Sequence, residues 1–235
     1  MTAKYKVVEA ALERDLLEGK FDDNRKLPTE DELIEIYKVS RNTIRRAVDV
    51  MARRGMIMPI QGSGMFLRDV FQEGCVNLEV FRGMTDTFKK NQLVTKVIAF
   101  DQIFANEEIA KAMRCEVGTP MFYLERVRIV DGIPNCFEYS WLNRNYIPYL
   151  NNEIITNSVY EFITSDPKKK IGYVDRVITA RRLTEKEAKM LGHKEGDPAL
   201  VSTNCAMFKA GELFDYSINV HNFETVKFLK LSNFA

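Results

Sequence analysis

LPTEDELIEIYKVSRNTIRRAVDVMARRGMIMPIQGSGMFL, residues 27 to 67, carries three local signals in a fixed order. Thr29 stands just before Glu30, Asp31 and Glu32, so it can cap a helix whose first turn is acidic and matched to the helix dipole. That helix is short and ends near Tyr37. The turn KVS follows, and Ser40 is placed to cap a second helix over RNTIRRAVDVMARRGM that stops at Gly55. On it Ile44, Ala47, Val48 and Met51 recur at three-to-four spacing and mark the core side, while Arg41, Asn42, Arg45 and Arg46 lie toward the other. MIMPIQGSGMFLRD, 56 to 69, then reads as two short strands around QGSG. Glycines at 62 and 64 permit a tight turn with φ > 0 and close approach of the backbone to a phosphate.

Two short helices joined by a tight turn, the second bearing Arg, Asn and Thr in its first turns, match a helix-turn-helix. The side chains suit that role, since Arg can pair bidentately with guanine in a major groove, and Asn or Thr can read other base edges. Taken alone, the second helix is equally a solvated charged face. The hairpin that follows completes a winged helix. Upstream, Tyr5 to Glu18 reads as an amphipathic helix, with Val7, Val8, Ala11, Leu12, Asp15 and Leu16 as its stripe and Gly19 as its stop.

The run KLPTEDELIEIYKVSRNTIRRAVDVMARRGMIMPIQGSGMFL resembles the GntR family of bacterial transcription regulators. The resemblance implies that Ser40, Arg41, Asn42, Thr43 and Arg45 read bases and phosphates, and that Thr29 meets the DNA backbone where its helix begins. Gly62, Ser63 and Gly64 would form the wing tip. The sequence departs from the family pattern at Asp31, where many members carry Arg, and at Pro59 and Ile60, where the wing is often basic.

The chain has 235 residues, 46% hydrophobic and 29% charged, enough for one large domain or two ordinary ones with real cores. Apolar runs such as VIAF (97 to 100) fall far short of the ~20 residues that span a bilayer. The first twenty residues mix charge with apolar side chains, so neither a signal peptide nor an anchor is expected. Cys75, Cys115, Cys136 and Cys205 are scattered without a CxxC pair, which predicts reduced thiols in a cytoplasmic protein and no metal site. No cofactor is expected. Net charge is only +1, yet residues 38 to 68 hold seven Lys and Arg against the single acid Asp49. Such a local patch on a nearly neutral chain marks one dedicated polyanion-binding face.

DVFQEGCVN, 69 to 77, has the composition of a linker. The expected organisation is a winged helix-turn-helix domain over 1–69, a linker over 70–77 and a second domain over 78–235. There the pattern alternates, with strands expected near 94–104, 121–130, 134–142, 171–181, 198–209 and 213–222. Short helices are expected near 107–113, 158–164 and 185–191, capped by Asn106, by Asn157 or Ser158, and by Thr184. The fold class is α+β, with a largely antiparallel sheet. In FYLERVRIVDG, 122 to 132, Phe122, Leu124 and Val130 share a strand face with Arg126 and Arg128. Two guanidiniums among core-type residues call for an anionic partner.

EVGTPMFYLERVRIVDGIPNCFEYSWL, SVYEFI and EAKMLGHKEGDPALVSTNCAMFKAGELFDYSINV resemble the UTRA effector-binding domain of the HutC-type branch of GntR regulators, similar in fold to chorismate lyase. That resemblance implies an effector site formed by Arg126, Arg128, Glu138, Ser158, Asp215 and His221. The loop FRGMT (81 to 85), with Phe81, Arg82 and Gly83, would close it. His221 stands where an aromatic hydroxyl is more usual, and Asn222 where the family has Arg. Read without the family, Ser158 and Glu161 fit a capping box, whose helix N-terminus could also hold a phosphate. Asp215, Ser217, Asn219 and His221 alternate along one strand face, either a solvent side or a pocket wall. Register supplies a sharper expectation. A two-residue loop at Asp131 and Gly132 would set Arg126 opposite Phe137, whereas a three-residue loop or a bulge sets it opposite Glu138. The second arrangement is predicted.

The expected function is a homodimeric DNA-binding regulator, a repressor whose operator binding is relieved by a small anionic effector, foremost a phosphorylated sugar. A carboxylate, a fatty acid or a nucleotide would satisfy the same arginines. A lyase-type enzyme is the remaining alternative, and the sequence speaks against it. His193 and His221 are the only histidines, and neither lies beside Ser or Cys in a catalytic motif.

Overall fold

In the computed structural model, α1 (Lys4–Leu17), α2 (Glu30–Tyr37) and α3 (Arg41–Arg53) share one core. Leu12, Leu33, Ile44 and Met51 are wholly buried in it, each large side chain contributing ~1.5–3 kcal/mol by leaving water. The structure describes residues 4–17, 20, 25–68, 75–78, 84–88 and 91–232. The apolar stripe expected for α1 is narrower than predicted: Val8 and Leu12 are buried but Val7 is 58% exposed. Asp15 is drawn inward by hydrogen bonds donated by the Tyr37 hydroxyl at 2.9 Å and the Lys20 ammonium at 2.7 Å. The Leu16 side chain and Gly19 lie outside the described residues.

Thr29 caps α2 in a full capping box, its hydroxyl accepting from the Glu32 N–H while its own N–H donates to the Glu32 carboxylate at 2.7 Å. Lys38, left-handed at φ 50°, ends the helix. Ser40 occupies the N-cap position of α3, but its side chain does not cap as expected. Its hydroxyl pairs with that of Thr43 at 2.9 Å, and its carbonyl accepts from the Thr43 and Ile44 N–H groups instead. Strands β1 (Ile57–Ile60) and β2 (Gly64–Leu67) pair antiparallel as the wing, with Gly62 at φ 77° and Gly64 at φ 111°.

Within the stretch read as linker, Cys75–Asn77 forms β3. A second antiparallel system follows in the chain. Its elements are α4 (Met84–Thr87), β4 (Leu93–Phe104), α5 (Glu107–Met113), β5 (Pro120–Val130), β6 (Ile133–Asn143), α6 (Asn152–Thr156), α7 (Val159–Ser165), β7 (Ile171–Arg182), α8 (Glu185–Leu191), β8 (Pro198–Phe208) and β9 (Leu213–Asn222). The six long strands form one sheet in the order β4-β5-β6-β9-β8-β7. Each lies within a residue or two of its expected bounds. Helix α6 had no such expectation; NEIIT is five residues with two isoleucines and a threonine, too short and too β-branched to show a helical period. Helices α6 and α7 pack on one sheet face around Leu124, Leu142 and Phe214, and α5 and α8 pack on the other.

The last strand, β10 (Lys227–Leu229), pairs with β3, and Leu231 beyond it is 7% exposed in the core shared with Leu12 and Ile44. The chain accordingly divides into one unit of residues 1–80 with 228–235 and another of 81–227.

Candidate functional site

On α3, Arg41, Asn42 and Arg45 are exposed and Thr43 is half-buried, so the side expected to read DNA faces water. The two arginines are not idle. Arg41 is hydrogen-bonded to the Asp31 carboxylate and has Glu30 at 3.7 Å, while the Arg45 Nε donates to both Glu30 oxygens at 3.0 and 3.1 Å. Helix α2 therefore presents its acidic first turn to the arginines of α3. Arg46 instead stacks over the Tyr5 ring at 4.2 Å and belongs to the packing of α1. At the wing, Gly62, Ser63 and Gly64 are exposed, and a Cβ added at Gly64 would stand 3.1 Å from the Lys26 side chain.

In the other unit, sheet register decides the site. Asp131 and Gly132, at φ 50° and 82°, make a two-residue turn between Val130 and Ile133. A bulge at Asn135 then shifts the pairing, so that Arg128 meets Cys136 and Arg126 meets Glu138. The predicted pairing is thus present, reached through a bulge and a short turn. Across the sheet, Arg126 and Glu138 continue to Asn219 and Ser202, and Arg128 and Cys136 continue to His221. The alternating residues of β9 lie on this same face, with Asp215, Ser217 and His221 buried and Asn219 half-buried, so it is not a solvent side.

Arg126 is 5% exposed; its guanidinium donates to Glu138 at 2.7 Å and to the Ile155 carbonyl of α6 at 2.8 Å. Ser140 donates to the same Glu138 oxygen at 3.0 Å. Burial works to raise the Glu138 pKa, but Arg126 and Arg128 together outweigh it and hold the carboxyl below its ordinary value. Arg128, 3% exposed, donates to the Thr85 hydroxyl of α4 at 3.1 Å. Among the described residues no carboxylate lies within ion-pair distance of it. Burial, reinforced by Arg126, pushes its pKa down to about 10, so it stays cationic at neutral pH. The Nε atoms of both arginines are buried without hydrogen-bond partners.

Asp215, 2% exposed, accepts from the Tyr160 hydroxyl of α7 at 2.6 Å, and its other oxygen has no hydrogen-bond partner among the described residues. Burial pushes its pKa up to about 7; the Tyr160 hydrogen bond opposes the rise and Glu138 adds to it. His221 pairs with Ser202 at 2.9 Å, and burial with Arg176 nearby pushes its pKa down to about 3, so the ring is neutral. Ser158 is the N-cap of α7, its hydroxyl accepting from the Glu161 N–H at 3.2 Å. Among the described residues the reciprocal half of the expected capping box is missing, because Glu161 does not return to the Ser158 N–H. Phe81, Arg82 and Gly83 lie outside the described residues; of that loop, Thr85 is seen to reach the site. Tyr160 and Ser140 hydrogen-bond to the expected residues Asp215 and Glu138, and Arg176 shares their sheet face; sequence reasoning missed all three. The first two have no pattern of their own, whereas Arg176 sits between Val174 and Ile178 on an alternating strand, the same signature that exposed Arg126 and Arg128.

Residues 89–227 match the UTRA domain, and residues 4–67 match the gntR family of bacterial regulatory proteins. The chain belongs to the GntR family, UTRA type. Among its relatives is the HTH-type transcriptional regulator YydK of Bacillus subtilis, 29% identical over 98% of each chain. The crystal structure of YydK superposes with a TM-score of 0.81 over 99% of this chain and all of that one, at 28% identity. GmuR of B. subtilis is 28% identical over 93% of each chain, and TreR of the same organism 28% over 90% of this chain and 89% of its own. These relatives are transcriptional regulators, and this GntR chain is one too. The lyase-type alternative is therefore set aside: a shared fold carries no shared chemistry. No helix among the described residues is long and apolar enough to cross a membrane.

Proposed function

We propose that this GntR-family protein is a cytoplasmic repressor that holds a two-fold symmetric operator as a homodimer and releases it when a small anion, foremost a phosphorylated sugar, binds at Arg126 and Arg128. The observation that carries the reading is the unequal state of those two arginines. Arg126 has its counter-charge in Glu138, whereas Arg128 is buried and, among the described residues, has one neutral hydrogen-bond partner. An uncompensated buried cation is costly, and a ligand anion would remove that cost. A phosphate monoester, with a charge of about −1.5 to −2 and three acceptor oxygens, suits two guanidiniums with partnerless Nε atoms. Relationship to TreR, whose effector-binding domain is described as that of a trehalose repressor, supports a sugar as the rest of the ligand. On the DNA side, Arg41, Asn42, Thr43 and Arg45 at the start of α3 would enter the major groove. Thr29 and Ser40 would lie by the phosphates, and the wing tip at Gly62, Ser63 and Gly64 would approach the backbone.

Release of DNA requires the effector to bind one state of the dimer better than the other. Thermal unfolding of the full chain with sugar phosphates, carboxylates, fatty acids and nucleotides, paired with operator gel shifts, tests this. Stabilisation and DNA release by a sugar phosphate are expected. Stabilisation by another class would reassign the effector, and no response to any of them would remove the anion site.

A further inference from the structure

Arg176 is a half-buried guanidinium on the polar sheet face that lies apart from the Arg126–Arg128 pair. It sits on the edge strand β7, and register carries it across to Asn204, Ser217 and Ser140 on the face that holds Arg126 and Glu138. Its Nε donates to Asn204 Oδ1 at 2.6 Å, and the Asn204 amide in turn donates to Ser217 Oγ at 3.3 Å and to the Ser202 carbonyl at 3.4 Å. Asn204 is 2% exposed, and the two bonds its amide N–H group donates hold the side chain so that its oxygen faces this guanidinium. Burial holds the Arg176 pKa below its ordinary value, yet it is positive enough to depress His221.

Four strand spacings separate β5 from β7, roughly 19 Å between backbones at ~4.8 Å each. A lone phosphate on Arg128 does not cover that span. Between the two ends, on β9, the buried Asp215 Oδ1 and Asn219 Oδ1 lack hydrogen-bond partners among the described residues. The face thus reads cation, hydrogen-bond acceptors, cation. A phosphorylated sugar reads anion, hydroxyl donors, oxygen acceptors.

We propose that Arg176, oriented by Asn204, is a second anchor of the effector site that contacts the hydroxyl-rich end of the ligand and selects a sugar without an amino group. This rests on the phosphorylated-sugar reading above. Among the described residues three guanidiniums outnumber the two carboxylates of this face, Glu138 and Asp215, so the site repels an ammonium, and desolvation sharpens that repulsion.

Calorimetric titration of the full chain at neutral pH with inorganic phosphate, a panel of neutral hexose and disaccharide 6-phosphates, and glucosamine 6-phosphate decides the matter. In the wild type, one neutral sugar phosphate is expected to bind at least tenfold tighter than both phosphate and glucosamine 6-phosphate. Arg176→Gln should weaken that sugar phosphate about tenfold, leave inorganic phosphate within twofold and narrow the gap to glucosamine 6-phosphate. Arg176→Lys, which keeps the charge and the fold if Arg176→Gln unfolds, should lose affinity but retain the discrimination. A wild type that binds no panel member overturns the sugar-phosphate reading and this assignment with it. A wild type that binds one, with both variants binding it equally well, overturns the assignment alone. Tight glucosamine 6-phosphate binding that Arg176→Gln leaves unchanged overturns the selection against an amino group.

Discussion

Arg41 and Arg45 meet Asp31 and Glu30 in water, while Arg126 meets Glu138 almost out of it. The first pair of arginines is about half exposed, with side chains at 51% and 56%, whereas Arg126 and Glu138 stand at 6% and 13%. Similar atoms lie at similar distances, and the consequences differ. Exposed pairs are worth ~0–1 kcal/mol and are screened by salt, so another anion can take the arginines at little cost. A buried pair cannot be opened without stranding a charge, so it sets the geometry of its surroundings and invites a ligand only where a charge is left over. Arg128 is that remainder. The exposed cluster suits exchange of carboxylate for phosphate; the buried one suits a fixed site in which Arg128, among the described residues, has no carboxylate partner.

Breaking the buried pair should give the largest effect. Glu138→Ala leaves Arg126 buried with the neutral Ile155 carbonyl as its remaining partner among the described residues, and should cost ~3–5 kcal/mol in urea unfolding. A loss under about 1 kcal/mol would mean that water reaches Arg126, and the contrast with the exposed cluster would collapse.

Asp215 sharpens the same contrast through pH. Its native pKa of about 7 exceeds its ordinary value of 3.8, so the native state holds this proton more tightly than the unfolded chain does. Its contribution to stability is therefore complete below about pH 4, declines between pH 4 and 7, and is gone above 7. Comparing wild type with Asp215→Asn across that window, the wild type should lose ground by roughly 1.4 kcal/mol per pH unit, up to ~4 kcal/mol in all. A difference that stays flat from pH 4 to 8 would show that Asp215 is ionised and solvated throughout.

Local patterns carried most of the fold into view. The capping residues Thr29, Asn106 and Thr184 and the alternation of the six long strands are short-range signals, and each appears where its pattern placed it. Arg126 and Arg128 were visible because charge on an apolar strand face is a local contradiction. What escaped depends on contacts distant in sequence. Nothing in CVN or KFL says that β3 and β10 pair, or that Leu231 enters the core of α1 and α3. Tyr160 becomes a site residue only because α7 lies over Asp215, 55 positions away. The bulge at Asn135 was needed by the register yet had no residue signature of its own, since the Asp-Gly turn beside it reads as an ordinary hairpin.

On the exposed side, effects should move from stability to DNA. Arg45→Ala should leave unfolding within ~1 kcal/mol of wild type, because its pair with Glu30 is solvated. Affinity for a selected operator duplex, followed by fluorescence anisotropy, should fall by ~1–3 kcal/mol if Arg45 contacts a base edge. Retained operator affinity would leave Arg45 as part of a solvated helix face.

The smallest effect discriminates best between the two clusters. Asp31 holds Arg41 in the free protein and, at the first turn of α2, would sit close to the DNA backbone. Asp31→Asn leaves Arg41 only the longer contact to Glu30 among the described residues and removes a negative charge from that surface, while costing the helix a few tenths of a kcal/mol of dipole and capping energy. Operator affinity should rise about two- to fivefold at low salt, the equivalent of ~0.4–1 kcal/mol, and the gain should fade as added salt screens both arrangements. An unchanged affinity at low salt would mean that the Asp31–Arg41 contact survives in the complex or that Arg41 does not meet DNA. A gain that persisted at high salt would mean that this pair is not the weakly held, solvent-screened contact its exposure implies.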